Sequence, residues 1–341
     1  MKKKFNVIQV GLGPMGRIIA NLLLTRKNIN LIGVNDIDPK LIGKKLSELP
    51  EIDYETDITI DSDLEKFLDK KKIDLAVIAT SSLLKKVAPL INKIVKFGCN
   101  VISICEELSY PYQDHPELSK ELDKLAKSKN VTIVGTGINP GYLMDLLPII
   151  ITAPCQKVSS IRVTRMMNSA KRRVSFQKKI GTGLSVDQFH KKISSKEITG
   201  HVGLTQSIQM IVAALGIDYD DIVELPPKEI VTEIEFTTSY GEKVPKDYVC
   251  GLQSKAFAKK GEKEIIILDF VAYAGDHEEY DSIEIEGTPN LHQKIIGGVH
   301  GDLGTSAMVA NLIPIVIQAK AGLLTMKDIP IPRNTENIWK K

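Results

Sequence analysis

The chain has 341 residues, enough for two domains that each bury a sizeable core. Apolar residues make up 43% and charged residues 26%, the balance of a soluble globular protein and not of a disordered or fibrous one. The 45 basic and 42 acidic residues leave a net charge of only +3 with lysines spread throughout, and no 18-residue apolar run exists, so neither nucleic acid nor a membrane is an expected partner.

The first residues, MKKKFNVIQVGLG, place about six apolar-biased positions between the lysines and a glycine, too few for a signal peptide. Cys99, Cys105, Cys155 and Cys250 form no CxxC pair, so neither a zinc site nor a disulfide framework is expected. Both observations suggest a cytoplasmic protein with reduced thiols.

FNVIQV, 5–10, reads as a strand. GLGPMG follows, with Gly11, Gly13 and Gly16 in G-x-G-x-x-G spacing around Pro14 and Met15. Met15, Ile18, Ile19, Leu22 and Leu23 then recur on one face of a helix. A second strand, INLIGVND, ends at Asp36, twenty residues after Gly16. Gly11 suits a tight turn, Gly13 a close approach of backbone to a pyrophosphate, and Gly16 close packing of helix on strand. The helix start offers free N–H groups and a positive dipole end. Asp36 would take the ribose hydroxyls. Strand, glycines, amphipathic helix, strand and acid together signal a dinucleotide site of the Rossmann type. Ile37 follows Asp36 where an arginine would favour a 2′-phosphate, so NAD is the expected cofactor; Lys40 leaves room for NADP.

The alternation continues. A helix is expected over 64–72, a buried strand over 73–82 ending at Thr80, Ser81 and Ser82, and a helix over 83–98. The strand NVISIC runs into Glu106 and Glu107. The next helix has Asp114 as expected N-cap with Glu117 three residues on, placing it too far along to be capped by either glutamate. The strand VTIVG leads into a turn through Asn139, Pro140 and Gly141. Apolar strands alternating with helices make a doubly wound parallel sheet covered on both faces. Ligands of such sheets sit beyond the carboxyl ends of the strands. Thr80 and Ser81, the two glutamates and Asn139 all fall there.

Beyond about residue 150 strands follow one another: 158–167, 229–239, 248–260, 264–275 and 281–287, with helices near 185–193 and 204–216. Several alternate, as in an antiparallel sheet with one solvated face. The fold class is therefore α/β, with a second α+β domain on a mainly antiparallel open sheet. Expected boundaries are 1–148 for the dinucleotide domain and 149–299 for a substrate and dimerisation domain. An apolar helix from about 301, with Pro314 inside it, is expected to bring 300–341 back onto the first domain. Paired sheet faces would suit a homodimer. His300 and Asp302 lack a third group at metal spacing, so no metal is expected.

GLGPMG, ATSS, CEELSYP, GTGINPGYLMDLLP, FQKKIGTGL, GHVGLTQS and GGVHGDLGTSAMVANLIP together resemble the 2,4-diaminopentanoate dehydrogenase family, relatives of the dihydrodipicolinate reductases and of amine dehydrogenases. The resemblance implies oxidative deamination at C4 of 2,4-diaminopentanoate, a diamino acid, to 2-amino-4-oxopentanoate and ammonia, a step of ornithine fermentation. Dihydrodipicolinate reductases carry paired histidines where this chain reads NSAKRRVSFQKKIGTGL without any, which disfavours that activity. By likeness to families with Glu-Lys-Pro at the strand end, Glu107 takes the lysine's place as base, with Glu106 beside it as the second candidate. A carboxylate there suits an iminium, which a lysine would repel. Arg172, Arg173, Lys178 and Lys179 could meet the substrate carboxylate, and the family-like motif favours Lys179. His201 could orient substrate, and Asn139 could contact nicotinamide or substrate. Two other readings remain open: an amine dehydrogenase or imine reductase with a different substrate, and a non-catalytic NAD(H)-binding sensor, for which a base at the nicotinamide edge would serve no purpose.

Overall fold

The strand and helix periods of the first 140 residues close into a parallel sheet. The computed structural model describes residues 2–70, 73–275 and 278–340, apart from the side chains at 69, 70 and 171. The chain divides into two units, Met1–Tyr142 with His300–Lys341, and Leu143–Val299.

In the first unit β1 (Phe5–Val10) leads to α1 (Pro14–Thr25) and β2 (Ile29–Asn35), then β3 (Ile60–Asp61), α2 (Leu64–Lys70), β4 (Leu75–Ile78), α3 (Leu84–Lys96), β5 (Asn100–Ser103), α4 (Pro116–Lys129) and β6 (Thr132–Gly135). The last two positions of the helix expected over 64–72 lie outside the described residues. Strand order is β6-β5-β4-β1-β2-β3, all parallel. The strands are apolar because helices cover both faces: Leu75, Ala76, Val77 and Ile78 are fully buried. On one face α3 and α4 close the core with Leu84, Val87, Ile91, Leu122 and Ala126. α4 stops at Asn130, whose left-handed backbone (φ 53°) caps it. Its start differs from expectation. Pro116 occupies the first turn, so His115 rather than Asp114 is the N-cap residue, and no side chain caps it.

The second unit begins with α5 (Leu146–Ile151), β7 (Lys157–Asn168), α6 (Val174–Lys179), α7 (Val186–Ser194) and α8 (Leu204–Leu215). It continues through β8 (Asp221–Glu224), β9 (Lys228–Val231), β10 (Phe236–Thr237), β11 (Lys243–Val244), β12 (Val249–Lys260), β13 (Lys263–Tyr273), β14 (Tyr280–Thr288) and β15 (Leu291–Ile296). Its large sheet runs β15-β14-β7-β13-β12-β8, with β9 also on β12. All neighbours are antiparallel except β7 and β13, which pair in parallel because the intervening helices and strands return the chain to the starting end. The sheet is thus mixed but mainly antiparallel. The strand expected over 229–239 is broken into β9 and β10, and β15 adds a hairpin edge. α8 packs on β12, β13 and β8. Away from it, Ser160, Arg162, Glu284 and Glu286 line a polar hollow.

The chain then returns to the first unit as α9 (Gly301–Val316) and β16 (Gly322–Leu324). α9 packs on α1, and β16 adds in parallel to β6. Pro314 falls in the last turn of α9, where a lost hydrogen bond costs least.

Candidate active site

β1, β4, β5 and β6 are parallel neighbours, so their carboxyl ends share one edge. At β1 that edge is the glycine loop. A Cβ on Gly16 would stand 2.1 Å from Gly11 O, so only glycine lets α1 approach the strand this closely. A Cβ on Gly13 would meet nothing within 4 Å, which leaves the loop's outer face open. Pro14 is exposed and Met15 half-buried beside it. α1 begins without a side-chain cap and without an acid in its first turn, so no side chain of its own start neutralises its positive end. Thr80, exposed at the end of β4, stands against Gly11, and Ser81 Oγ accepts the Leu83 N–H at 3.2 Å.

Asp36, at the end of β2, accepts from Leu12 N–H at 2.5 Å and from Asp38 N–H at 2.8 Å. Its carboxylate therefore adjoins the loop, and the next side chain, Ile37, is 83% exposed, an apolar surface on which an adenine could lie. Lys40 is exposed nearby in sequence. A residue not singled out from the sequence shapes the loop from below. Gln9, fully buried in β1, donates through Nε2 to Gly11 O at 3.1 Å and to Gly16 O. A lone amide inside the apolar strand FNVIQV was its signal.

At the end of β5 the chain makes a single tight helical turn, Glu106–Ser109. It is seated by Cys105 N–H donating to Ser103 Oγ (3.1 Å), Glu107 N–H to Ser82 O (3.3 Å) and Ser109 Oγ–H to Glu106 O (2.7 Å). The two glutamates differ. Glu107 Oε2 accepts the Leu84 N–H at 2.6 Å, at the start of α3, and lies 3.0 Å from His115 Nε2. Glu107 therefore does cap a helix, one that begins 23 residues earlier in sequence rather than the one that follows. Glu106, also half-buried, makes no side-chain hydrogen bond to any described residue. Burial pushes the adjoining Cys105 thiol up to about 12, the two carboxylates adding to the effect, so no thiolate competes there.

At the end of β6, Gly137–Gly141 folds back on itself, and Ile138 N–H donates to Thr305 Oγ1 of α9 at 3.3 Å. Asn139 has both side-chain amide atoms buried and, among the described residues, without a hydrogen-bond partner. A buried amide left unpaired costs about 1–3 kcal/mol, which a ligand's carboxamide or carboxylate would recover. The open Gly13 face, the uncapped helix start, Asp36 and the Asn139 amide together fit a dinucleotide, and the first unit has the fold of NAD(P)-binding dehydrogenases.

The second unit brings Lys179 and His201 together. The His201 ring stacks on Phe270 at 4.3 Å and 11°. Burial, then the positive charges of Lys179 and Arg165, push its pKa down to about 3, so it is neutral at pH 7. Arg165 is itself buried beside Asp281, whose carboxyl burial pushes up. Of the four cations in the basic cluster, Arg172 stacks on Phe176 at 4.8 Å and exposed Lys178 lies over Tyr240 at 5.8 Å. Arg173 also has a partner. Lys179, at the end of α6, is half-buried and forms no ion pair or hydrogen bond with a described residue. His300 serves as N-cap of α9, its Nδ1 accepting from Leu303 N–H at 3.4 Å. Among the described residues no three histidine, cysteine or acidic side chains cluster as metal ligands, and no helix is long and apolar enough to cross a membrane.

Comparison with known proteins agrees in extent and kind. The family model described as the 2,4-diaminopentanoate dehydrogenase C-terminal domain matches residues 142–341. A 2,4-diaminopentanoate dehydrogenase of Acetoanaerobium sticklandii is 34% identical over 338 residues, covering 97% of this chain and 95% of that protein. The solved structure of an amine dehydrogenase from Mycobacterium smegmatis has the same fold, with a TM-score of 0.83 at 23% identity over 96% of this chain and 97% of the other. The redox-sensing transcriptional repressor Rex of Clostridium acetobutylicum is 33% identical over 103 residues only, 30% of this chain and 44% of its own.

Proposed function

Because the chain belongs to the 2,4-diaminopentanoate dehydrogenase family, we propose that it oxidatively deaminates 2,4-diaminopentanoate at C4, with NAD as cofactor and Glu107 as general base. The observation that carries the reading is the Glu107 carboxylate, held at the strand-end edge that also bears the glycine loop.

When bound, the nicotinamide coenzyme supplies a two-electron acceptor. Gly11, Gly13, Pro14, Met15 and Gly16 would hold its pyrophosphate side, Asp36 and Ile37 its adenosine, and Thr80, Ser81 and Asn139 its nicotinamide end. An ammonium nitrogen has no lone pair, so its carbon cannot release the C–H electron pair until a base removes a proton. Glu107 takes that proton and releases it to solvent. The electron loss leaves an iminium cation on the substrate, which the Glu106 and Glu107 carboxylates stabilise. Water then adds to the iminium carbon and Glu107 takes its proton. Protonation of the resulting amine lets ammonia leave as the ketone forms. The sum is substrate ammonium, oxidised coenzyme and water in, and ketone, ammonium, reduced coenzyme and one proton out. Lys179 is assigned the substrate carboxylate because it is a half-buried cation without a partner among the described residues, with neutral His201 alongside.

Asp36 supports NAD over NADP, since a second anion repels a 2′-phosphate. A homodimer is part of the same reading, and a monomer by light scattering would remove it. The Rex likeness favours NAD(H) sensing as a second reading, though over under a third of the chain. The test is the absorbance of reduced nicotinamide with 2,4-diaminopentanoate and NAD or NADP, with ornithine and a simple monoamine alongside. Turnover confined to the diaminopentanoate supports the proposal. Turnover with the monoamine alone assigns another amine substrate. NADH binding without any turnover supports the sensor.

A further inference from the structure

His115 is the N-cap residue of α4, yet its ring makes no capping bond to that helix. The ring turns back instead, and Nε2 lies 3.0 Å from Glu107 Oε2. An ionised carboxylate only accepts, so Nε2 carries the proton in this pair. The Leu84 N–H, 2.6 Å away, converges on the same oxygen. Two donors on Oε2 fix the carboxylate plane and leave Oε1 as the oxygen without a donor among the described residues.

The ring is well placed for this. His115 N–H donates to Pro111 O at 2.9 Å, and its carbonyl accepts from Ser119 N–H at 2.9 Å. Pro116 restricts the backbone just after it. The side chain is only 13% exposed, against 20% for Glu107. One donor from a backbone amide would leave the carboxylate free to rotate about that bond; the second removes the freedom.

We infer that His115 is a positioning residue for the reaction: with the Leu84 amide it pins Oε2 of Glu107 and thereby aims Oε1 at the proton to be removed. This rests on Glu107 being the base. A base misaimed by about an ångström loses about a hundredfold in rate.

Steady-state kinetics with NAD and 2,4-diaminopentanoate on H115A, H115N and H115F, with E107Q and the H115A/E107Q double variant as references, tests the inference. H115A and H115F should lower kcat about ten- to a hundredfold with KM for NAD unchanged. H115N, whose amide N–H can reach toward the same oxygen, should recover most of the rate. The double variant should be no slower than E107Q, since His115 acts only through Glu107. H115F serves if H115A does not fold. A lower Tm with unchanged kcat in H115A or H115F would reduce the contact to a tether and overturn the inference, as would equal impairment of H115N and H115A. Full activity in E107Q would instead remove the base assignment itself. An inactive E107Q beside a fully active H115A would sink only the role given to His115.

Discussion

Gly135 of β6 and Leu108 approach so closely that no side chain fits between them: a Cβ on Gly135 would stand 2.5 Å from the Leu108 carbonyl and 2.7 Å from Ser109 N. The turn that carries both glutamates is thus seated on the neighbouring strand by backbone contact. Gly135→Ala must push that turn away, since backbone atoms cannot swing aside as a side chain can. The expected cost is about 1–3 kcal/mol of stability, with a fall in kcat that exceeds any change in KM for NAD, because the glycine loop on β1 is untouched. Thermal melts and steady-state kinetics check both halves. An unchanged kcat in a folded variant would show that the turn's position is not critical.

Much of the first unit was legible because its determinants are local. The glycine spacing, the apolar helix face behind it and the acid at the end of β2 all lie within 36 residues. Glu106 and Glu107 were legible as a pair by their place after a buried strand. What distinguishes them was not. Glu107 meets an amide 23 residues back in sequence and a histidine eight residues on. Only the pairing of β4 with β5 brings Leu84 to it. The expected cap at Asp114 hid His115, because Pro116 moves the helix start by one residue. In the second unit the parallel pairing of β7 with β13 depends on a connection of nearly a hundred residues, which no local pattern records. Gln9 was missed because strand reading weighs apolar positions and passes over the single amide among them.

Asp36 is expected to govern the choice between NAD and NADP. Its carboxylate is tied to the loop by Leu12 N–H at 2.5 Å, and in the proposed cofactor pose it would repel a 2′-phosphate. Asp36→Ser should lower kcat/KM for NAD and raise it for NADP, shifting their ratio about tenfold or more. Initial rates with both coenzymes at saturating diaminopentanoate give the ratio directly. A ratio unmoved by the substitution would place selectivity elsewhere.

Lys179 and Lys178 are adjacent in α6 and should behave differently. Lys178 is exposed over Tyr240, whereas Lys179 is half-buried next to His201. Lys179→Met is expected to raise KM for 2,4-diaminopentanoate about a hundredfold, the scale of one lost charge-assisted bond. A simple amine lacking a carboxylate should be turned over no worse by the variant than by the wild type. Lys178→Met should change either constant by less than about threefold. Equal effects of the two substitutions would point to general electrostatic attraction instead of a specific contact.

His201 should leave a signature in stability against pH. Its folded pKa lies at about 3, below the ordinary 6.5. Between those values the unfolded chain holds a proton that the folded chain does not, so stability rises with pH across the window. The contribution is complete above pH 6.5 and is lost progressively as pH falls toward 3. His201→Phe keeps a ring to stack on Phe270 but removes the titration. The variant should therefore gain on the wild type between pH 7.5 and pH 5, as read by urea denaturation at the two pH values. Carboxylates common to both chains cancel in that difference. An identical pH dependence would mean that the imidazole titrates near its ordinary value. It would then add a second positive charge beside Lys179 in mild acid.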